Sequence, residues 1–423
     1  MNALDRRRFL GQSLGYSAAL AAGPILLRSA RADEADDYQP DTLFLTWQRD
    51  PTTTMTVQWV GGDDGDGDPD DATIYASRVK TNEWFATPTT TRQFPLTDRK
   101  LYRSELTGLT PGTEYQFRIG ASKVVHRFRT MPAKATNDLL FVSGGDCGVN
   151  SHALANNYVA AKQDPYFAII GGDLAYDNGK LPKVTLGFLR QYSKSMIDSQ
   201  DRLIPMVVCI GNHEVVGGFG KPRSHAPIFF ALFDGLFADT SYGTLDFGNY
   251  LSLVLLDTGH VAKIGGAQAS WLDRTLAARR DLPHLIVVNH VPAYPSYRAE
   301  VTDDGKGGTG DENRKFWVPL FEKHNVDVVL EHHDHTFKRT HPLKGGVADK
   351  DGILYLGDGS WGKIRAPKAP EKRGYLATAN QSYHLTVHRL EGEQRFHMAV
   401  GETGKIIDVC MTGKKPRNRV VGA

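Results

Sequence analysis

Beyond residue 138, five short apolar runs each end, within four residues, on a side chain able to bind a metal ion. Leu139-Leu140-Phe141-Val142 leads into Gly144-Gly145-Asp146-Cys147-Gly148, and Phe167-Ala168-Ile169-Ile170 into Gly171-Gly172-Asp173-Leu174-Ala175-Tyr176. Met206 to Ile210 ends in Gly211-Asn212-His213-Glu214, His284 to Val288 in Asn289-His290, and Val326 to Leu330 in Glu331-His332-His333-Asp334-His335. Apolar runs of this length, alternating with helical stretches such as Ser151 to Lys162, predict strands of a sheet covered on both faces. In open α/β sheets ligands bind beyond the carboxyl ends of the strands, so Asp, Asp with Tyr, Asn, His and a His-x-His pair are directed to one edge. A Gly-Asp turn alone says little, and a lone histidine at a strand end is ordinarily structural. No packing requirement would place all five in series.

The donor inventory narrows the chemistry. Carboxylate and amide oxygens with imidazole nitrogens suit Fe, Mn or Zn, and the lack of a cysteine cluster argues against a structural zinc. Two neighbouring ions need one ligand that reaches both, which a carboxylate can be and a neutral imidazole cannot. Cys147, Cys209 and Cys410 are the only thiols, so no disulfide framework is implied, and each is expected to be buried and inert.

A chain of 423 residues predicts two or three domains. Residues 38–131 read as an all-β sandwich, with period-two runs such as Thr54-Met55-Thr56-Val57-Gln58-Trp59 and Tyr115-Gln116-Phe117-Arg118-Ile119 separated by Gly, Pro and Asp turns. The turn Leu109-Thr110-Pro111-Gly112-Thr113-Glu114-Tyr115 resembles fibronectin type III modules. The acidic run Asp63 to Asp71 is expected to be a solvated loop: Pro69 and Tyr75 stand where a calcium loop of the EF-hand type needs Gly and Glu.

At the N-terminus, Arg6-Arg7-Arg8-Phe9-Leu10, the apolar stretch Leu14 to Leu27 and Ala30-Arg31-Ala32 follow the order of an export signal, and Arg6-Arg7 with Phe9-Leu10 resembles the twin-arginine type. The stretch is too short for a span of ~20 residues. Residues 1–32 are therefore expected to be a signal, the mature protein to lack a membrane span, and its location to be periplasmic or secreted. Removing the five arginines and one aspartate of that segment takes the net charge from +2 to −2, which is no footprint for nucleic acid. The tail 413–423 is expected to be disordered.

Taken together, GD-x-G (145–148), GD-x-x-Y (172–176), GNHE (211–214), His290 and H-x-H (333–335) resemble the calcineurin-like metallophosphoesterases. Tyr176, Arg339 and the fibronectin-like module make the resemblance closest to their purple acid phosphatase branch. It implies a four-layer αββα sandwich over residues 137–412, following the β-sandwich. It also implies that Asp146, Asp173, Tyr176 and His335 bind Fe(III), while Asp173, Asn212, His290 and His333 bind a divalent ion (Fe, Zn or Mn), with Asp173 bridging. The implied reaction is hydrolysis of phosphomonoesters by attack of metal-activated hydroxide on phosphorus, with His213 as the catalytic donor and Glu214 an orienting residue.

Some positions depart from the family pattern. His332 stands where Gly usually precedes H-x-H, and Phe337-Lys338 replace Tyr-Glu. Tyr297 and Arg298 lie where plant-type members place further histidines, and with His152 and Asn150 they are candidates for substrate contact. Two other readings stay open at the sequence level: a phosphodiesterase or phosphoanhydride hydrolase of the same fold, and a surface-binding protein with a vestigial metal site.

Overall fold

The structure is a computed structural model that describes residues 38–413 apart from 63–67, 82, 138, 302–306 and 358. The expected export signal, residues 414–423 of the expected disordered tail and part of the acidic run lie outside the described residues.

The period-two runs of the N-terminal part form two antiparallel sheets of four strands. One contains Phe44–Thr46, Met55–Gly61, Lys100–Leu106 and Thr90–Gln93; the other contains Phe85–Thr87, Ile74–Arg78, Glu114–Ile119 and His126–Arg129. Alternation along Met55–Gly61 predicts one wet face, yet all seven residues are buried. The polar face is covered by the rest of the chain: Gln58 Nε2 donates to Leu232 O at 3.0 Å, and Thr46 Oγ1 to Met206 O at 2.8 Å. Both of these buried polar groups keep a hydrogen bond, as burial requires. Trp47 anchors the contact, its ring lying edge-on to Phe167 and Phe247 at 6.0 and 5.9 Å.

The remaining chain builds two mixed sheets. The six-stranded sheet runs Met206–Val208, Ala168–Ile170, Leu139–Gly144, His384–Glu391, Gln394–Gly401, Ile406–Thr412, with its first three strands parallel. The seven-stranded sheet runs Gly243–Phe247, Leu251–Leu255, His284–Asn289, Val328–Glu331, Leu354–Gly357, Phe337–Thr340, Leu376–Asn380, with four parallel strands from Leu251 to Gly357. Side-chain alternation splits this second sheet between two cores. Leu253, Leu255, Ile286, Val288 and Leu330 join the core shared with the six-stranded sheet. Val254, Leu285, Val287, Val329 and Tyr355 pack instead with Leu272 and Leu276 of helix Ala267–Arg279 and Phe321 of helix Val318–Lys323. Helices Ser151–Ala161 and Pro182–Ser195 complete the outer layer beside the first sheet, giving helix, sheet, sheet, helix.

Several elements have no clear sequence signature. Strands Leu376–Asn380 and Ile406–Thr412 lie at sheet edges, where half-burial blurs the apolar pattern, and Phe337–Thr340, next to an edge, is mostly buried but carries the polar Lys338, Arg339 and Thr340. Cys147 and Cys209 are buried as expected, but Cys410 is only half-buried because Ile406–Thr412 is an edge strand.

Replacing Trp47 removes the largest side chain at the contact between the β-sandwich and the sheets behind it. Trp47→Ala is expected to lower stability by about 3–5 kcal/mol, read as a lower urea midpoint, and an unchanged midpoint would contradict the packing described.

Candidate metal centre

Strand register brings the donors level. Ile170 pairs with Gly144 on one side and Val208 on the other, so the three parallel strands end together before Asp146, Asp173 and Asn212. In the other sheet Asn289 pairs with Glu331, which sets His290 beside the loop of His333 and His335. The loops stay laddered past the strands: Asp146 N donates to Gly172 O (3.1 Å), Cys147 N to Asp173 O (3.0 Å) and His332 N to His290 O (2.9 Å).

Five of the seven expected ligands, Asp146, Asp173, Tyr176, His333 and His335, adopt positive φ, between 54° and 71°. Such conformations cost non-glycine residues energy and persist where surrounding contacts over-determine them. Here the strain turns side chains of successive loops toward one point. Asp173, His290 and His333 form one group of converging donor atoms, and Asp146, Asp173 and His335 a second, each with donors within 4.8 Å of one another. Asp173 belongs to both. Asn212 Oδ1 is 3.2 Å from His290 Nε2, and His333 Nδ1 is 3.0 Å from the same atom. On the other side, Tyr176 OH lies 3.1 Å from Asp146 Oδ1 and 3.2 Å from His335 Nε2.

The residues fit a pair of metal ions. Asp173 is 1% exposed, and its Oδ2 is buried without a hydrogen-bond partner, a costly state for a carboxylate oxygen that a cation would relieve. Its other oxygen accepts from His213 N at 2.8 Å. Glu214 holds the loops from behind, accepting from Asp173 N, Leu174 N and Gly211 N, each at 2.8 Å.

Residues 40–130 match the family "Purple acid Phosphatase, N-terminal domain", and residues 128–337 match "Calcineurin-like phosphoesterase". The chain belongs to the purple acid phosphatase branch of the calcineurin-like phosphoesterases. Mouse acid phosphatase type 7 is 25% identical over 440 residues, covering 95% of this chain and 96% of its own. Purple acid phosphatase 21 of Arabidopsis thaliana is 24% identical over 288 residues, covering 64% of this chain and 62% of its own. The solved purple acid phosphatase from yellow lupin seeds shares the fold, with a TM-score of 0.69 at 17% identity over 90% of this chain and 77% of its own. The protein is thus a metallophosphoesterase, a hydrolase of phosphate esters.

The departures from the family pattern have physical consequences in this phosphoesterase. His332 is buried, with Nδ1 2.9 Å from Asn289 O, and occupies the space above two glycines. A Cβ on Gly171 would lie 1.9 Å from His332 Cε1, so the imidazole fits only because residue 171 has no side chain. Lys338 forms a fully buried ion pair with Glu331 (2.7 Å) and also donates to Tyr294 O.

Of the candidates for substrate contact, Asn150 is used as a helix cap, accepting from Ala153 N at 2.9 Å. His152 stacks on Tyr383 and pairs with Glu402 at 2.7 Å, so it is engaged elsewhere. Arg298 is bound to Asp334 (3.0 Å) and His333 O. Sequence reading missed Asn178, whose Oδ1 is 2.5 Å from His213 Nδ1, and Phe219, an exposed ring 6.3 Å from that of His333. Neither carries a motif, and only the folded loops bring them in.

Burial opposes the charge of His290, but the carboxylate of Asp173 outweighs it and raises the pKa to about 9. Burial and the charge on His290 push His333 well below its usual range. A metal ligand must be a neutral ring, so below pH 9 an ion held by Asp173 and His290 would displace the proton of His290, while His333 would have none to lose. Zn(II) added to metal-free protein at pH 7 in weak buffer should release about one proton from this pair, and affinity should rise with pH up to about 9. Uptake without proton release would contradict the geometry.

Proposed function

We propose that this phosphoesterase is an exported phosphomonoester hydrolase with an Fe(III) ion and a divalent Fe, Zn or Mn ion. Asp146, Asp173, Tyr176 and His335 would hold the ferric ion, and Asp173, Asn212, His290 and His333 the divalent one. Residues 1–32 would be the signal, 38–131 the β-sandwich domain and 137–412 the catalytic domain. The observation that carries the reading is the carboxylate of Asp173, common to both donor groups and buried with one oxygen unpartnered. When bound, the two ions supply Lewis-acid polarisation of phosphate oxygens and acidify water.

The chain's own groups support that chemistry. Burial, reinforced by Asp146 and Asp173, holds the Tyr176 phenol well above its ordinary pKa, so only a strongly polarising cation would ionise it. That favours a trivalent ion on its side. His213 is half-buried, with Nε2 3.9 Å from Asp173 Oδ2. With Asn178 Oδ1 accepting from Nδ1–H, the imidazolium form of His213 would present a second N–H at Nε2 and deliver that proton to the leaving oxygen, becoming the neutral ring. Burial depresses the pKa of this imidazole, against the pull of Asp173, which favours giving the proton up.

Metal analysis with a visible spectrum tests the assignment. A broad tyrosinate-to-iron band should vanish in Tyr176→Phe, and Asp173→Asn should lose metal and turnover together. A colourless protein holding only zinc or manganese would overturn the ferric assignment, and slower release from 4-nitrophenyl phosphate than from its bis-ester would overturn the monoesterase reading. Export is tested separately: with Arg6 and Arg7 both changed to Lys, the protein should stay in the cytoplasm, and unaltered export would refute a twin-arginine signal.

A further inference from the structure

The segment Trp361 to Lys368 is bonded along the loops that carry the metal-binding groups. Trp361 N donates to Gly145 O (3.1 Å), Gly362 N to Asp146 O (3.0 Å), Arg365 N to His335 O (2.6 Å) and Lys368 N to Ser296 O (2.9 Å). Asn150 Nδ2 closes the start of the segment by donating to Gly362 O at 2.6 Å. A strip pinned at these points sets three cations beside the centre. Lys363 Nζ lies 4.4 Å from the centre of the Tyr176 ring. Arg365 Cζ and Lys368 Nζ lie 4.8 and 4.4 Å from that of Tyr297.

Among the described residues, no carboxylate comes within ion-pair distance of these three cations. Neighbouring Arg298, by contrast, is neutralised by Asp334. Ordinary surface lysines extend into water. Here Lys363 and Arg365 are half-buried, and two cations share one aromatic ring, which brings like charges together with no carboxylate of the described residues paired to them. An anion arriving at this place would be attracted by all three. Beside His333 the exposed neighbour is instead the apolar ring of Phe219.

We infer that Lys363, Arg365 and Lys368 form a second anion subsite, which takes a further phosphate of a substrate carrying more than one. This rests on the reading of the centre as a site for a phosphoryl group. One phosphate would lie at the Asp173 centre and the other along the Tyr176 to Tyr297 side. The class implied is a small multiply phosphorylated alcohol rather than a simple alkyl or aryl phosphate.

Phosphonates, which are not hydrolysed, separate binding from turnover. Calorimetry of the metal-loaded protein with propylphosphonate and propane-1,3-bisphosphonate should show the bisphosphonate binding at least about tenfold tighter at low salt, with the advantage shrinking as salt is added. The double variant Arg365→Gln, Lys368→Gln should reduce that ratio to below about threefold, and the single variant Lys368→Gln, at an exposed position, should reduce it partway. Lys350→Ala, remote from the centre, should leave it unchanged. Equal affinities, a ratio unmoved in the double variant, or equal weakening of both ligands would overturn the subsite. Preferential binding of the bisphosphonate by a protein that hydrolyses no phosphate ester would uphold the subsite and remove the proposed activity instead.

Discussion

The carboxylate of Asp173 is the constraint on which the rest of the structure depends. It is buried between two sheets, approached by three histidine rings, and supported from behind by a second buried carboxylate, Glu214. Without cations, this concentration of negative charge is unfavourable, and it raises the pKa of Glu214 to about 8, through burial first and then Asp173 and Asp177. Two metal ions would reverse the balance, making the cost of burying these groups the source of metal affinity.

That arrangement makes demands on the backbone. Positive φ at Asp146, Asp173, Tyr176, His333 and His335 is tolerated because the loops are bonded to one another beyond the strand ends. The same loops accept the 361–368 segment, so the candidate metal ligands and the neighbouring cations share one rigid frame. His332 adds bulk where the family has little, and the structure accommodates it over Gly145 and Gly171.

The β-sandwich is not a separate bead on the chain. Thr46, Gln58 and Trp47 reach into the second part, and Arg103 pairs with Asp234 at 2.5 Å. This explains why Met55–Gly61, patterned as a half-exposed strand, is buried throughout. Alternation reports which residues share a face, but it cannot report that a second surface covers the polar one.

Much of the site was legible in the residues themselves. Strand ends carrying Asp146, Asp173, Asn212, His290, His333 and His335 can be read because buried strands are apolar and chelating residues interrupt them abruptly. Asn178, Phe219 and the cations at 363, 365 and 368 could not be read, since they lie on loops without periodicity. The order of the donors along the chain and their chemical types were thus determined by sequence alone, and they point to a metal centre. Only the tertiary structure decided how strand register brings the two donor groups together at Asp173, that Asn150 and His152 are engaged elsewhere, and that three cations with no carboxylate at ion-pair distance among the described residues border the centre. Those outcomes depend on distances between residues far apart in the chain, which no local pattern encodes.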